Sequence, residues 1–260
     1  MQSKNFKKDF WMLQKKLRDE ENFAFSRYSD GEMIIMQNKH LKLATESTTV
    51  DGARAGIGYD KTDHKEYDPS KHGWFYHKLM EAYRHTDKNY FVGISCPCCV
   101  GKKNSDWMKS MRDEETSTWA NLFVNSNYPL FLDMVVPLLK SKQVVIVCNE
   151  GSDLSGLPFK VKKDFRIGSN AMINDIGLVD EMKEWITKEG VTDHVFLFAA
   201  ASLSNILIYE GWKNFPENTY IDVGTTLNPH MGRPVARNYL KGYWQNSGNS
   251  EIYKECVWCD

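Results

Sequence analysis

The chain of 260 residues has no apolar run long enough to cross a bilayer. The longest runs, near Leu130 to Leu139 and Val195 to Ala201, fall well short of the roughly 20 residues a spanning helix needs. Its N-terminus is charged rather than signal-like, so no membrane span and a cytoplasmic location are expected. Nor is one sign of charge in excess. With 33 basic and 34 acidic residues there is no broad positive field for a nucleic-acid backbone or an anionic membrane. Only local clusters such as Lys160 to Lys163 remain as anion sites. Repeats, low-complexity tracts and long linkers are also absent. A chain that is 42% hydrophobic at this length can bury one large core, and a single domain over residues 1–260 is expected.

Cysteine is crowded. The six residues fall at positions 96, 98, 99, 148, 256 and 259. Such crowding suits a reducing compartment or a metal better than a disulfide-dense secreted scaffold, which would be much shorter. The Cys96/Cys98/Cys99 and Cys256/Cys259 clusters together could offer four thiolates to a tetrahedral zinc, although the first lacks the usual two-residue spacer. Reduced, partly buried thiols are the expectation.

What is present is an alternation. Phe6, Phe10, Leu13 and Leu17 recur at helical spacing, and a strand over 23–28 follows. A polar, glycine-bearing stretch from Thr45 to Ser70 has the composition of a loop or flexible lid. Beyond it, helices are expected near 74–85, 128–139, 175–189 and 203–209, and strands near 90–94, 144–148, 195–199 and 219–223. The strands are continuous apolar runs rather than period-2 patterns. This predicts an α/β, Rossmann-like fold, a mainly parallel sheet with helices on both faces. Ligands of such folds settle at the carboxyl ends of strands. Three polar corners occupy those ends: Ser29 to Glu32, Asn149 to Gly156, and Asp222 to Thr226.

The first corner, Asp30-Gly31-Glu32, is either a turn with helix-start acids or a carboxylate pair for a metal ion. Similar acidic triplets at Asp19 to Glu21 and Asp113 to Glu115 sit in charged, helix-like surroundings and read as solvated surface. Placement between a strand and a helix adds some weight to the metal for Asp30 and Glu32 and leaves both readings open. Arg27 is either an anchor for phosphate or the structural partner of a carboxylate. Asp222 is either a general base or a turn cap. Ser152, in the Glu150 to Asp153 corner, either touches ribose or sugar hydroxyls or belongs to a solvated loop. Asn170 could read a nucleotide base or close a turn. His230 reads as an ordinary loop residue, and Arg233 and Arg237 as surface charges or contacts to an acidic acceptor.

The segments FSRYSDGEM, FRIGSNAMIND, VFLFAAASLSNILIYEGW and YIDVG, in this order over residues 23–224, resemble the domain-of-unknown-function family with the GT-D glycosyltransferase fold. That family's pattern is Arg-aromatic-Gly-Asp-Gly-Glu after the first strand, a later Asn-Ala pair, a small-residue turn, and a closing Asp-x-Gly. By that likeness Arg27, Asp30 and Glu32 take its first positions, Asn170 and Ala171 its Asn-Ala, and Asp222 and Gly224 its last motif. Ser29 replaces the family's usual glycine, Thr225 stands where histidine is common, and the turn AAASLSN lacks glycine-proline.

The resemblance implies a glycosyltransferase that moves a sugar from a nucleotide diphosphate sugar, a UDP-sugar, to a hydroxyl of a glycan or glycoconjugate. Manganese or magnesium would be held at Asp30 and Glu32, hard oxygen ligands that suit those ions better than zinc. Two other classes stay open. An S-adenosylmethionine-dependent methyltransferase shares the α/β pattern but calls for a glycine-rich loop where this chain has Ser-Asp-Gly-Glu. A zinc-stapled interaction module would use the cysteines and leave the acidic corner idle.

Overall fold

The computed structural model describes residues 6–43, 48–54, 64–112 and 115–245. In chain order the strands are β1 (Ala24–Tyr28), β2 (Leu41–Leu43), β3 (Thr48–Val50), β4 (Ala53–Arg54), β5 (Lys65–Tyr67), β6 (Tyr90–Ile94), β7 (Ser117–Trp119), β8 (Gln143–Asn149), β9 (Val161–Ile167), β10 (His194–Phe198) and β11 (Thr219–Asp222). Seven of them form one sheet in the order β7-β6-β1-β11-β10-β8-β9, every pair parallel. The others make a small antiparallel sheet, β4-β3-β2-β5.

The continuous apolar runs of the strands are explained by cores on both faces. In β8, Val145 and Val147 enter one cluster while Val144, Ile146 and Cys148 enter the other. In β10, Phe196 and Phe198 divide in the same way from Val195 and Leu197. The first core is closed by α2 (Asp30–Met36), α3 (Pro69–Arg84), α6 (Leu178–Glu189) and α7 (Leu203–Asn214). The second is closed by α1 (Phe6–Arg18), the helical stretch α5 (128–139) and α8 (Asn238–Gln245). Within α5 the turn before Pro137 is π, at a point where proline supplies no N–H. Among the described residues no helix is long and apolar enough to cross a membrane.

Several expectations need correction. The stretch 45–70 is not simply a loop. It holds β3, β4, β5 and the start of α3, whose N-cap Asp68 accepts from the Ser70 N–H at 2.9 Å; residues 44–47 and 55–63 lie outside the described residues. Leu41, Leu43 and Tyr67 of the small sheet join the first core. The edge strands β7 and β9 and the helix α4 (Lys102–Ser110) were not anticipated. β9, VKKDFRI, carries charge because an edge strand can expose it, and Lys162 and Lys163 lie on this strand.

From β1 the chain steps outward through β6 to β7, crosses to β8 and the far edge β9, then returns through β10 and β11 to lie beside β1 on its other side. It leaves β1 toward the first core, through α2, and leaves β11 toward the second, ahead of α8. Their carboxyl ends, Tyr28 and Asp222, therefore flank the crevice in which open α/β sheets bind ligands.

Close packing of α7 on this sheet depends on Gly211. A Cβ there would stand 2.4 Å from Cε1 of Tyr220, a buried ring stacked on Phe196 at 5.0 Å. We expect Gly211→Ala to lower stability by about 1–3 kcal/mol in urea unfolding, overpacking outweighing the roughly 1 kcal/mol that alanine gains in a helix.

Candidate functional site

A cleft of about 1140 Å³ opens at the carboxyl edge of the parallel sheet. Arg27, Asp30, Glu32, Ser152, Asn170, Ala171, Asp222 and Gly224, the residues singled out from the sequence, all line it. The tertiary structure thus brings together positions spread over most of the chain.

At the first corner the chain leaves β1 through Ser29, in extended geometry (φ −91°, ψ −168°), and enters α2 directly. Ser29-Asp30-Gly31-Glu32 is a capping box, with the Ser29 N–H donating to Glu32 Oε2 at 3.0 Å. That gives a local reason for serine where the resembled pattern has glycine. Asp30 Oδ1 accepts from the Gly31 N–H at 2.9 Å, and its carboxyl group borders the cleft.

Glu32 is buried, and its other oxygen is also engaged. Lys65 Nζ, from β5, donates to Oε1 at 3.0 Å and to Ser202 Oγ at 2.6 Å, while the Ser202 hydroxyl donates to the same Oε1. Burial opposes ionisation of Glu32, but the Lys65 charge and the Ser202, Lys65 and Ser29 hydrogen bonds outweigh it and hold the carboxyl down at about 2. Neither Lys65 nor Ser202 was singled out from the sequence. Lys65 sits in a stretch of loop-like composition, and Ser202 in a small-residue turn, so neither carried a local signal.

Asn170 secures Lys65 from behind. It adopts a left-handed conformation (φ 51°), and its amide accepts from the Glu66 N–H at 3.0 Å and donates to the Glu66 carbonyl at 3.2 Å. Both ends of the side chain thus clamp the backbone of β5. Ala171 is buried at the start of the adjoining helical turn.

Asp222 ends β11 opposite this corner. Its Oδ1 accepts from the Gly224 N–H at 2.9 Å, so it does cap the following turn, and it lies 3.7 Å from Arg27 Nη1. That separation makes the contact with Arg27 a through-space ion pair rather than a hydrogen bond. Arg27 Nε donates to the Ala120 carbonyl at 2.7 Å, which fixes the guanidinium beside the carboxylate. Burial pushes Asp222 up to about 6 and the Glu32 charge adds to the rise, against the lowering effect of Arg27. Gly224 is required twice, by its φ of +50° and because a Cβ would stand 2.3 Å from Arg27 Nη1.

Asn149, Glu150 and Ser152 from the β8 corner also line the cleft, together with Arg233, Arg237 and Lys241. The Ser152 carbonyl accepts from Arg166 Nη1 at 2.7 Å. His230 is a packing residue, its ring edge-on to Trp244 at 5.3 Å. Of the acidic comparison sites, Asp113 and Glu114 lie outside the described residues, as do Cys256 and Cys259.

A hard cation suits this donor set in a limited way. Among the described residues, Asp30, Glu32 and Asp222 do not form a three-carboxylate cluster, and Glu32 and Asp222 already face Lys65 and Arg27. One cleft-facing carboxylate, completed by waters and substrate phosphates, is the kind of set that binds magnesium or manganese.

No protein-family model and no curated protein matches the sequence. Solved structures do. A selenomethionine-substituted structure of domain of unknown function 1792 superposes with a TM-score of 0.55 at 13% identity, over 91% of this chain and 80% of that one. A second structure with the same figures is described as that highly conserved domain with a distinct glycosyltransferase fold. A third, described as a new glycosyltransferase of that domain from Streptococcus sanguinis, gives 0.54 at 14% identity, over 84% of this chain and 81% of that one. The chain therefore has the glycosyltransferase fold of these domains, and the resemblance carried by the four short segments is borne out at the level of fold.

The Glu32–Lys65 pair yields a stability prediction. Glu32→Gln and Lys65→Met should each cost about 3 kcal/mol in denaturant unfolding, because each leaves its partner poorly solvated and unpaired. The double variant should cost less than the sum. Since the folded-state pKa of Glu32 is depressed from 4.5 to about 2, its contribution is fully present above pH 4.5. It fades as the pH falls toward 2, and Glu32→Gln should flatten that part of the stability profile.

Proposed function

We propose that the chain is a glycosyltransferase that moves a sugar from a UDP-sugar to a hydroxyl of a glycan or glycoconjugate. The observation that carries this is the convergence of Arg27, Asp30 and Glu32 at the end of β1 with Asp222 and Gly224 at the end of β11, in one cleft where the chain leaves these two neighbouring strands toward opposite faces of the sheet. The fold shared with domains described as glycosyltransferases supports it.

In this reading the donor lies across the crevice with its diphosphate toward the Asp30 corner. Asp30 holds manganese or magnesium directly or through water, with Glu32 behind it in the Lys65 and Ser202 network. When bound, that cation supplies Lewis-acid neutralisation of the departing diphosphate. Lys65 brings a positive charge to the same corner, and Arg233, Arg237 and Lys241 also line the cleft, where an acidic portion of the acceptor would be attracted.

Asp222 acts as the general base. With its carboxyl raised to about 6 it is a stronger proton acceptor than an ordinary aspartate and still ionised at neutral pH. Arg27 keeps it oriented and charged until it takes the proton of the acceptor hydroxyl. Ser152 and Asn170 sit where the nucleotide and sugar would pass. Asn170 acts there by holding β5, and hence Lys65, in place.

Calorimetry tests the donor and the metal together. UDP should bind at least about tenfold tighter with manganese than without it, and Asp30→Asn should remove that difference. Absence of UDP binding under both conditions would count against the proposal. Asp222 gives a second check through UDP release from the UDP-sugar. Turnover should rise with pH through about 6 as Asp222 loses its proton, and Asp222→Asn should lower it by about two orders of magnitude and erase that rise.

A further inference from the structure

Away from the carboxylates, the described residues contain one place where three metal-capable side chains converge. The sulfurs of Cys96, Cys98 and Cys99 all lie within 4.8 Å of one another. Cys96 Sγ is 2.9 Å from Cys98 Sγ and 3.3 Å from Cys99 Sγ. These separations are well beyond the ~2.05 Å of a disulfide, so the three are separate thiols.

The local fold produces the convergence. Just after β6, Cys96 takes an extended conformation (φ −75°, ψ 158°) as the N-cap of the turn Pro97–Val100, with Pro97 at the first helical position. A side chain at the N-cap leans back over the second and third residues of the turn, here Cys98 and Cys99. The N–H groups of Cys99 and Val100 both donate to the Cys96 carbonyl, at 3.0 and 3.2 Å, and fix that geometry. Cys96 is buried while Cys98 and Cys99 are exposed, and Cys96 and Cys99 border the cleft.

We propose that Cys96, Cys98 and Cys99 bind one zinc ion as three thiolates. Tetrahedral zinc with bonds of about 2.3 Å holds its sulfurs about 3.8 Å apart. The two separations from Cys96 need to open by less than about 1 Å, which side-chain rotation at the exposed Cys98 and Cys99 supplies without moving the backbone. Each thiol gives its proton to solvent as its sulfur binds, no electron is transferred, and the fourth position is left to water or another donor.

Soft sulfur ligands also keep this site apart from the Asp30 corner, whose oxygen ligands suit harder cations. The ion would fix the turn that forms the cleft wall after β6. The site is independent of the sugar-transfer proposal and would stand if that one failed.

The test uses the full chain, reduced and stripped of metal, titrated with zinc against a chromophoric chelator with reductant present. One equivalent should bind, and the bound ion should shield about three thiols from a thiol reagent. Cys98→Ser and Cys99→Ser should each weaken binding by about a hundredfold. Both positions are exposed, so the metal-free variants should match the metal-free parent in circular dichroism and thermal melting. A reduced chain that takes up no zinc would overturn the proposal. Full uptake in both serine variants would also overturn it, since the ion would then lie elsewhere.

Discussion

The ammonium of Lys65 and the carboxylate of Glu32 form the contact on which the shape of the cleft depends. A carboxylate as buried as Glu32 stays ionised only if the free energy of leaving water is returned by a close opposite charge and by hydrogen bonds. Here Lys65, Ser202 and the Ser29 N–H return it. These donors belong to the small antiparallel sheet, to the turn after β10 and to the cap of α2, so one charged group ties three otherwise separate pieces of chain together. Asn170 extends the tie by gripping the backbone at Glu66.

A second pair, Arg27 with Asp222, joins the neighbouring strands β1 and β11 and responds to the first. Glu32 is ionised nearby, and its charge adds to burial in raising Asp222 to about 6. Two acidic groups in one cleft therefore end with opposite perturbations. One is held strongly charged by a lysine, and the other is poised close to neutrality. Gly224 belongs to this electrostatics rather than to chain flexibility alone, because only the absence of a Cβ lets Arg27 approach Asp222 as it does.

The fold class was legible because the strands carry their burial in their composition. Runs such as VVIVC in β8 and VFLF in β10 alternate between two apolar cores, which is what a strand covered on both faces must do. The edge strand β9 was not legible, since an edge half-open to solvent tolerates the lysine and aspartate that otherwise read as loop, and β7, though buried, is three residues long and starts with serine and threonine. The small sheet was missed for a related reason. Its strands are two or three residues long, too short for any periodicity to register.

At the site, the sequence by itself determined which corners carry polar and acidic groups at the ends of apolar strands. Ligands of parallel α/β sheets settle at the carboxyl ends of strands, so with the family resemblance Arg27, Asp30, Glu32, Asp222 and Gly224 could be named before their positions in space were known. Tertiary structure alone decided how those groups are partnered. Lys65 is 33 residues from Glu32 and Ser202 is 170 residues away, and no local pattern marks either. Their roles arise because a charge removed from water must find its partners in three dimensions, wherever along the chain those partners lie.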